Sequence, residues 1–143
     1  YNTNFNPKKA ATPAFFFGLW AYKVSKLSNV LFSAEFNRLR RGRAPRAFAV
    51  DPGLVNTEIG AKDTGGLAQL VWNSRKKHGV TPDAPSKTIL FLAADLSVQN
   101  SDEVYWHDSR PKTPSRISKN PVLAQRLWGE SCRLCNLPTP SKE

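Results

Sequence analysis

Apolar residues recur at intervals of three and four along the first third of the chain. One such stripe consists of Val24, Leu27, Leu31 and Ala34. This spacing is typical of one face of an α-helix. The pattern predicts a helix over 20–41, which ends where Gly42 provides a residue type that often follows a last helical turn.

Shorter patterns predict the remaining elements. The apolar run 46–50 has little alternation, as in a parallel strand covered on both faces. Thr81 and Pro82 form a helix start, in which a capping residue is followed by proline. The predicted elements after the first helix are a strand over 46–50, a polar, glycine-containing segment over 56–80, a helix over 82–95, a strand over 103–107 and a helix over 121–134.

Tyr22 and Lys26 lie four residues apart on the first predicted helix. Their side chains therefore lie on one face, one turn apart. Free tyrosine has a pKa near 10, and an ammonium within about 4–6 Å favours the phenolate. A tyrosine tuned in this way exchanges a proton with an alcohol or carbonyl oxygen. A tyrosine and a lysine at this spacing also occur on the surface of many helices without a catalytic role. The pair alone therefore leaves both a catalytic and a surface role open.

The strand over 46–50 is followed by Asp51, Pro52 and Gly53. Ligands of open α/β sheets bind outside the carboxyl ends of the strands. Pro52 fixes its own φ, and Gly53 permits a close approach of another group to the backbone. The same residues also form an ordinary turn at the end of a strand, so the turn alone does not choose between the two roles.

In chain order, these pieces resemble the short-chain dehydrogenase/reductase family. The matching pieces are Tyr22-x-x-x-Lys26, the Asn29-Val30-Leu31 stretch of the same helix, and Pro52-Gly53-x-x-x-Thr57. The later part of the chain is similar to retinol-dehydrogenase-like members of that family, through Val104-Tyr105-Trp106, Pro114-Ser115 and Leu123-Ala124-x-Arg126-Leu127-Trp128. The resemblance extends from about residue 19 to about residue 132.

The resemblance implies an α/β fold, namely the C-terminal portion of a Rossmann-type doubly wound parallel sheet, incomplete as given. It also implies hydride transfer between NADP or NAD and an alcohol or carbonyl substrate. Tyr22 would be the acid/base, and Lys26 would lower the pKa of the tyrosine and hold the nicotinamide ribose. The nicotinamide end would be contacted by Pro52, Gly53, Val55 and Thr57. The segment 56–80 would be the flap over the substrate. Its apolar residues either line a pocket, which favours a lipophilic, retinoid-like alcohol or aldehyde, or simply pack a short helix of the segment down; the sequence leaves both roles open.

Two parts of the family's machinery have no counterpart in these 143 residues. No G-x-G-x-x-G motif occurs, although backbone N–H groups of such a turn hold a pyrophosphate. No serine precedes Ser25, whereas the family's catalytic serine lies before its tyrosine. We therefore expect that this chain alone is not a stable enzyme. A truncated, non-catalytic remnant that at most binds a partner is the alternative interpretation.

The chain carries a net charge of +10, which raises the alternative of a nucleic-acid or membrane-surface binder. The basic residues are spread, and no basic motif with interleaved aromatic residues or zinc-finger spacing accompanies them. Cys132 and Cys135 are only half of a zinc site, so we expect free thiols and no metal. We expect the protein to bind an alcohol or carbonyl compound and no nucleic acid. Whether it forms a homo-oligomer stays open.

The sequence contains no apolar run of the roughly 20 residues that span a membrane. It also begins without the charged, apolar and small-residue regions of a signal peptide. On this pattern we expect an intracellular protein.

Overall fold

The structure is a computed structural model that describes residue 6 and residues 18–41, 43–55 and 79–138. The chain divides into two compact units, Tyr1–Ala49 with Thr113–Glu143 and Val50–Lys112. The described elements are α1 (Gly18–Arg40), β1 (Ala49–Val50), α2 (Asp83–Ala94), β2 (Tyr105–His107), β3 (Arg110–Pro111) and α3 (Pro121–Leu134). Short 3-10 turns cover Leu96–Val98 and Arg116–Lys119.

The core of the first unit lies between α1 and α3. The buried residues are Val24, Leu27, Leu31 and Ala124, and half-buried Trp20, Ile117, Leu123 and Leu127 pack around them. Three of the four residues in the predicted apolar stripe are therefore core residues, while Ala34 is only partly buried. Burial of a leucine or valine side chain stabilises the fold by roughly 1.5–3 kcal/mol, so this seam holds the two helices together.

The ends of α3 are capped by two asparagines. The Asn120 side-chain oxygen accepts hydrogen bonds from the N–H groups of Val122 and Leu123, at 3.0 and 3.2 Å. Beyond the last turn, Asn136 has a φ of 53°. This left-handed residue is typical of helix ends, and it lets the Leu137 N–H reach the Cys132 carbonyl at 2.8 Å. Both cysteines are free thiols; Cys132 is buried and Cys135 is exposed.

Polar residues in the C-terminal half of α1 are buried as well. Ser33, Glu35 and Asn37 are all buried. The Glu35 carboxylate accepts two hydrogen bonds from the Arg38 guanidinium, from Nε at 2.8 Å and from an Nη atom at 2.6 Å. Hydrogen bonding to Glu35 is the main cause that raises the pKa of Arg38 above its ordinary value. The pairing satisfies a carboxylate that would otherwise be costly to bury.

The second unit contains a small sheet in the order β1-β2-β3. β2 and β3 are antiparallel, with Trp106 opposite Pro111 and His107 opposite Arg110. The two residues between the strands, Asp108 and Ser109, have φ values of 49° and 56°. Two positive φ values in succession are characteristic of the type I′ turn, whose twist suits a two-residue hairpin.

Helix α2 packs on this sheet through Phe91, whose ring centroid lies 6.0 Å from that of Trp106. Thr88 is the buried residue of the helix, and its Oγ1 accepts a hydrogen bond from the Ser109 N–H at 2.9 Å. A parallel bridge joins Val55 to Val80. The second unit is therefore held by the helix–hairpin contact and by pairing beyond the end of β1.

Several predicted boundaries differ from the structure. The helices over 20–41, 82–95 and 121–134 correspond to Gly18–Arg40, Asp83–Ala94 and Pro121–Leu134. The strands over 46–50 and 103–107 are shorter, at Ala49–Val50 and Tyr105–His107. The predicted cap Thr81 is wrong, because Pro82 occupies that position and no side chain caps α2.

The sheet also departs from the predicted wholly parallel arrangement, because β2 turns back at Asp108–Ser109 and pairs antiparallel with β3. The structure is a mixture of helices and a small three-stranded sheet, which is an α/β architecture in the coarse sense. Most of the predicted flap over 56–80 lies outside the described residues.

Candidate functional site

Tyr22 and Lys26 lie side by side on α1. The Lys26 Nζ is 5.3 Å from the centroid of the Tyr22 ring, over the face of the ring. Both side chains are exposed, and 54% of the Tyr22 residue surface is accessible to solvent. The core residues Val24 and Leu27 lie on the opposite side of the helix, because each residue advances the helix by about 100°. The helix therefore presents the pair outward while its other face is held in the core.

The ammonium of Lys26 makes a cation–π contact with the phenol ring. This is the proximity that the i, i+4 spacing predicts. The hydroxyl of Ser25 is directed along the helix, where it donates to the Tyr22 carbonyl at 2.8 Å. Such a bond to the preceding turn is common for serine in helices. Ser25 therefore takes part in the local helix geometry.

The turn after β1 carries the other predicted site residues. Gly53 has a φ of +67°, in the left-handed region that favours glycine, and both Pro52 and Gly53 are exposed. The Gly53 N–H donates to the Asp51 Oδ1 at 2.9 Å, so an aspartate side chain closes the turn. Val55 is half-buried and pairs with Val80. Thr57 lies outside the described residues.

The sequence patterns did not predict three residues that surround this turn. The Lys112 Nζ lies 2.5 Å from the Asp51 Oδ2, and the His107 Nδ1 lies 2.8 Å from the Asp51 carbonyl oxygen. The Tyr105 hydroxyl also hydrogen-bonds the Asp51 carboxylate. They lie beside the turn because the hairpin of β2 and β3 brings residues more than 50 positions later in the chain next to β1. No local motif could have found them.

The Asp51 carboxyl group has a pKa below its ordinary value of 3.8. Partial burial is the largest single influence, and it raises the pKa. The hydrogen bond and charge of Lys112, the Gly53 N–H and the Tyr105 hydroxyl together outweigh it. Asp51 is therefore a carboxylate at neutral pH, and its charge is matched by Lys112.

The predicted site residues form two groups. Tyr22 and Lys26 are together in the first unit, and Pro52, Gly53 and Val55 are together in the second. Within the described ranges, no group of three or more His, Cys, Asp or Glu side chains is arranged to hold a metal ion. Among the helices of these ranges, none combines the length and the apolar character needed to cross a membrane.

Comparison with known proteins gives several related sequences. No family model matches the chain. No solved structure matches it. Mouse retinol dehydrogenase 13 is 31% identical over 94% of this chain, and mouse retinol dehydrogenase 11 is 28% identical over 82% of it. Human polyprenol dehydrogenase is 28% identical over 80% of the chain.

The aligned regions are only part of each relative: 40% of the first, 37% of the second and 35% of the third. The chain thus spans about two fifths of the length of the curated relatives that it matches. The alignment with mouse retinol dehydrogenase 13 covers 94% of the chain, which is enough to include Tyr22, Lys26 and the Gly53 turn. The chain belongs to the short-chain dehydrogenase/reductase family, among its retinol-dehydrogenase-like members.

Proposed function

We propose that the protein containing this chain is an NAD(P)-dependent oxidoreductase that interconverts an alcohol and its carbonyl compound. The observation that carries the proposal is the contact between Lys26 and Tyr22 on α1 of a chain similar to dehydrogenases.

Tyr22 is the proposed acid/base. Its hydroxyl would give a proton to a carbonyl oxygen during reduction, or take one from an alcohol during oxidation. Lys26 places a positive charge 5.3 Å from the centroid of the Tyr22 ring, beside the proposed acid/base. The exposure of both side chains leaves room for a substrate oxygen to approach.

The turn at Pro52 and Gly53 is the proposed contact for the nicotinamide end of NADP or NAD, with Val55 and Thr57 as further contacts. The exposed glycine fits this role, because its backbone is accessible to solvent and its φ of +67° disfavours any other residue. Lys26 would in addition hold the nicotinamide ribose. When bound, the cofactor supplies the hydride, and these residues supply position and charge.

The proposed substrate is a lipophilic alcohol or aldehyde. Retinol dehydrogenases and polyprenol dehydrogenase, which the chain matches, carry the names of apolar alcohols. This part of the proposal depends on the relatives and on the apolar residues of segment 56–80, which lies mostly outside the described residues.

The test is a comparison of the wild-type protein with Tyr22→Phe, Lys26→Met and a control, Lys23→Met. Lys23 is on the same helix but 100° away from Tyr22 around the axis. Loss of a general acid/base should lower kcat for a lipophilic aldehyde by about 10²–10⁴-fold in Tyr22→Phe, with NADPH and NADH affinity largely retained. Lys26→Met should lower both kcat and cofactor affinity, and Lys23→Met should change neither. Turnover near wild type in Tyr22→Phe would show that another group is the acid.

A further inference from the structure

Asp51 is bonded through both its backbone groups and both its carboxylate oxygens. Its N–H donates to the Trp106 carbonyl at 2.8 Å, and its carbonyl oxygen accepts from the His107 Nδ1 at 2.8 Å. Its Oδ1 accepts from the Gly53 N–H, and its Oδ2 from the Lys112 Nζ. These four groups, together with the Tyr105 hydroxyl, fix the residue that immediately precedes the Pro52–Gly53 turn.

These bonds restrict the turn itself. Pro52 has little freedom, because its ring holds φ near −65°. Gly53 is the adaptable member, and its φ of +67° is maintained by the bond from its N–H to the Asp51 carboxylate. The carboxylate can serve as that acceptor only while its own orientation is fixed. Lys112 helps to fix that orientation, since it binds the other carboxylate oxygen.

His107 restricts the turn in a second way. A carbonyl oxygen only accepts hydrogen bonds, so the Nδ1 of His107 must carry the proton that it donates to Asp51. The bond places the imidazole beside Gly53, where its Cε1 lies 3.2 Å from the position that a Cβ on Gly53 would occupy. One side of the glycine is thus closed by the ring. A ligand of the turn cannot approach from the side that the ring occupies.

We infer that Lys112 and His107 are positioning residues that hold the Pro52–Gly53 turn in a single conformation, ready for a ligand. Lys112 acts on the turn through the Asp51 carboxylate, and His107 acts through the Asp51 carbonyl and by contact with Gly53. That the ligand is the nicotinamide end of a cofactor rests on the proposed function. The arrangement of the turn stands on the contacts of Asp51 alone.

A purely structural role for these residues would affect only the stability of the unit, and the test separates the two roles. The probe is the backbone amide signal of Gly53 in ¹H–¹⁵N NMR spectra of the full protein, followed as pH is lowered. Because this amide is bonded to the Asp51 carboxylate, its chemical shift reports protonation of that group. In the wild type, the midpoint should lie below pH 3.8.

In Lys112→Gln, the midpoint should rise and the neutral-pH position of the Gly53 signal should change. Lys112→Arg keeps the charge and should restore much of the wild-type behaviour. Lys87→Gln is the matched control, since it removes the charge of an exposed lysine of the same unit. His107→Phe keeps a ring but loses the donor, and it should also shift the Gly53 signal. His107→Asn retains a donor near the Nδ1 position and should move that signal less.

NADPH titration of the same variants tests the ligand. Lys112→Gln and His107→Phe should weaken NADPH binding by about two- to tenfold, which is the range expected for one lost hydrogen bond. If the Gly53 signal responds to Lys112→Gln no more than to Lys87→Gln, the inference is wrong, whatever the affinity for NADPH. If the signal responds as expected but no form binds NADPH or NADH, the positioning roles stand and the proposed function is wrong.

Discussion

The side-chain amide of Asn37 forms two hydrogen bonds with the backbone of Ala47. The Nδ2 donates to the Ala47 carbonyl oxygen at 2.8 Å, and the Oδ1 accepts from the Ala47 N–H at 2.8 Å. The primary amide thus pairs with both polar groups of one residue, as the backbone of a neighbouring strand does. The last turns of α1, the helix that carries Tyr22, are thereby attached to the segment that enters β1.

Replacement of Asn37 by alanine should lower the free energy of unfolding by about 1–3 kcal/mol, because two backbone groups of Ala47 lose their partners. Asn37 is buried, so water replaces those partners only in part. The measurement is urea denaturation followed by circular dichroism. Asn29→Ala makes the same chemical change at an exposed position of the same helix and should cost much less. Equal effects of the two substitutions would contradict a special role for the Asn37 pairing.

This pairing also explains why the strand over 46–50 is shorter than its apolar pattern predicted. Hydrophobicity indicates burial but does not say which groups satisfy the backbone, and here a side chain ten residues earlier bonds Ala47. In contrast, α1 and α3 follow closely from the sequence, since their apolar stripes are local and regular. The pairing of Tyr22 with Lys26 was likewise predictable, because four residues along a helix fix their proximity.

The hairpin of β2 and β3 shows where prediction from the sequence ends. Its turn residues are Asp108 and Ser109, rather than the Asn-Gly or Asp-Gly pair that signals a two-residue turn. The serine has a positive φ, and its N–H is held by Thr88, 21 residues earlier in the chain. His107 and Lys112 reach Asp51 only through this hairpin, so those two residues could not be found before the structure was known.

Thr88→Val should destabilise the protein by about 1–3 kcal/mol, because the substitution keeps the shape of the side chain but removes the acceptor for the Ser109 N–H. Threonine and valine have similar helix propensities, so α2 itself should be little affected. Thermal denaturation checks the effect. Thr88→Ser keeps the hydroxyl, and the bond in this variant should appear as protection of the Ser109 amide from hydrogen exchange. Wild-type protection of that amide in Thr88→Val would contradict the assignment.

Gly53→Ala and Gly129→Ala should have opposite effects on stability. At Gly53, alanine must adopt a positive φ, at a cost of roughly 1–2 kcal/mol, and its Cβ would press on the His107 ring. At Gly129, inside α3, a Cβ would meet nothing within 4 Å, so alanine should stabilise the helix by about 0.5–1 kcal/mol.

Urea denaturation of the two glycine variants measures this contrast, and Gly53→Asn separates its two causes. Asparagine has the same Cβ as alanine but tolerates the left-handed region better. If Gly53→Asn lowers the free energy of unfolding less than Gly53→Ala does, the positive φ accounts for most of the loss of stability in Gly53→Ala. Equal losses of stability in the two variants would identify contact with the His107 ring as the main cause. Unchanged stability in both variants would contradict the observed turn.

Acid should destabilise the second unit through Asp51. Because the pKa of Asp51 is lower in the folded protein than its ordinary value of 3.8, the folded state binds fewer protons than the unfolded state. The stabilisation that results is fully present above that ordinary value and is lost as pH falls through the lower, folded-state pKa. Asp95 contributes in the same direction, because the Ser97 hydroxyl and N–H lower its pKa.

Urea denaturation at a series of pH values, from about pH 6 down to about pH 2, tests this prediction. Lys112→Gln removes the charge and the ammonium hydrogen bond that hold the pKa of Asp51 down, so stability should depend less on pH in this window. Asp95→Asn should remove only the pH dependence that Asp95 contributes. Among the hydrogen bonds of the described residues, none joins Asp95 to Lys112. The double variant Asp95→Asn with Lys112→Gln should therefore show the sum of the two single effects. A pH dependence in Lys112→Gln as steep as that of the wild type would mean that Lys112 does not stabilise the Asp51 carboxylate in solution.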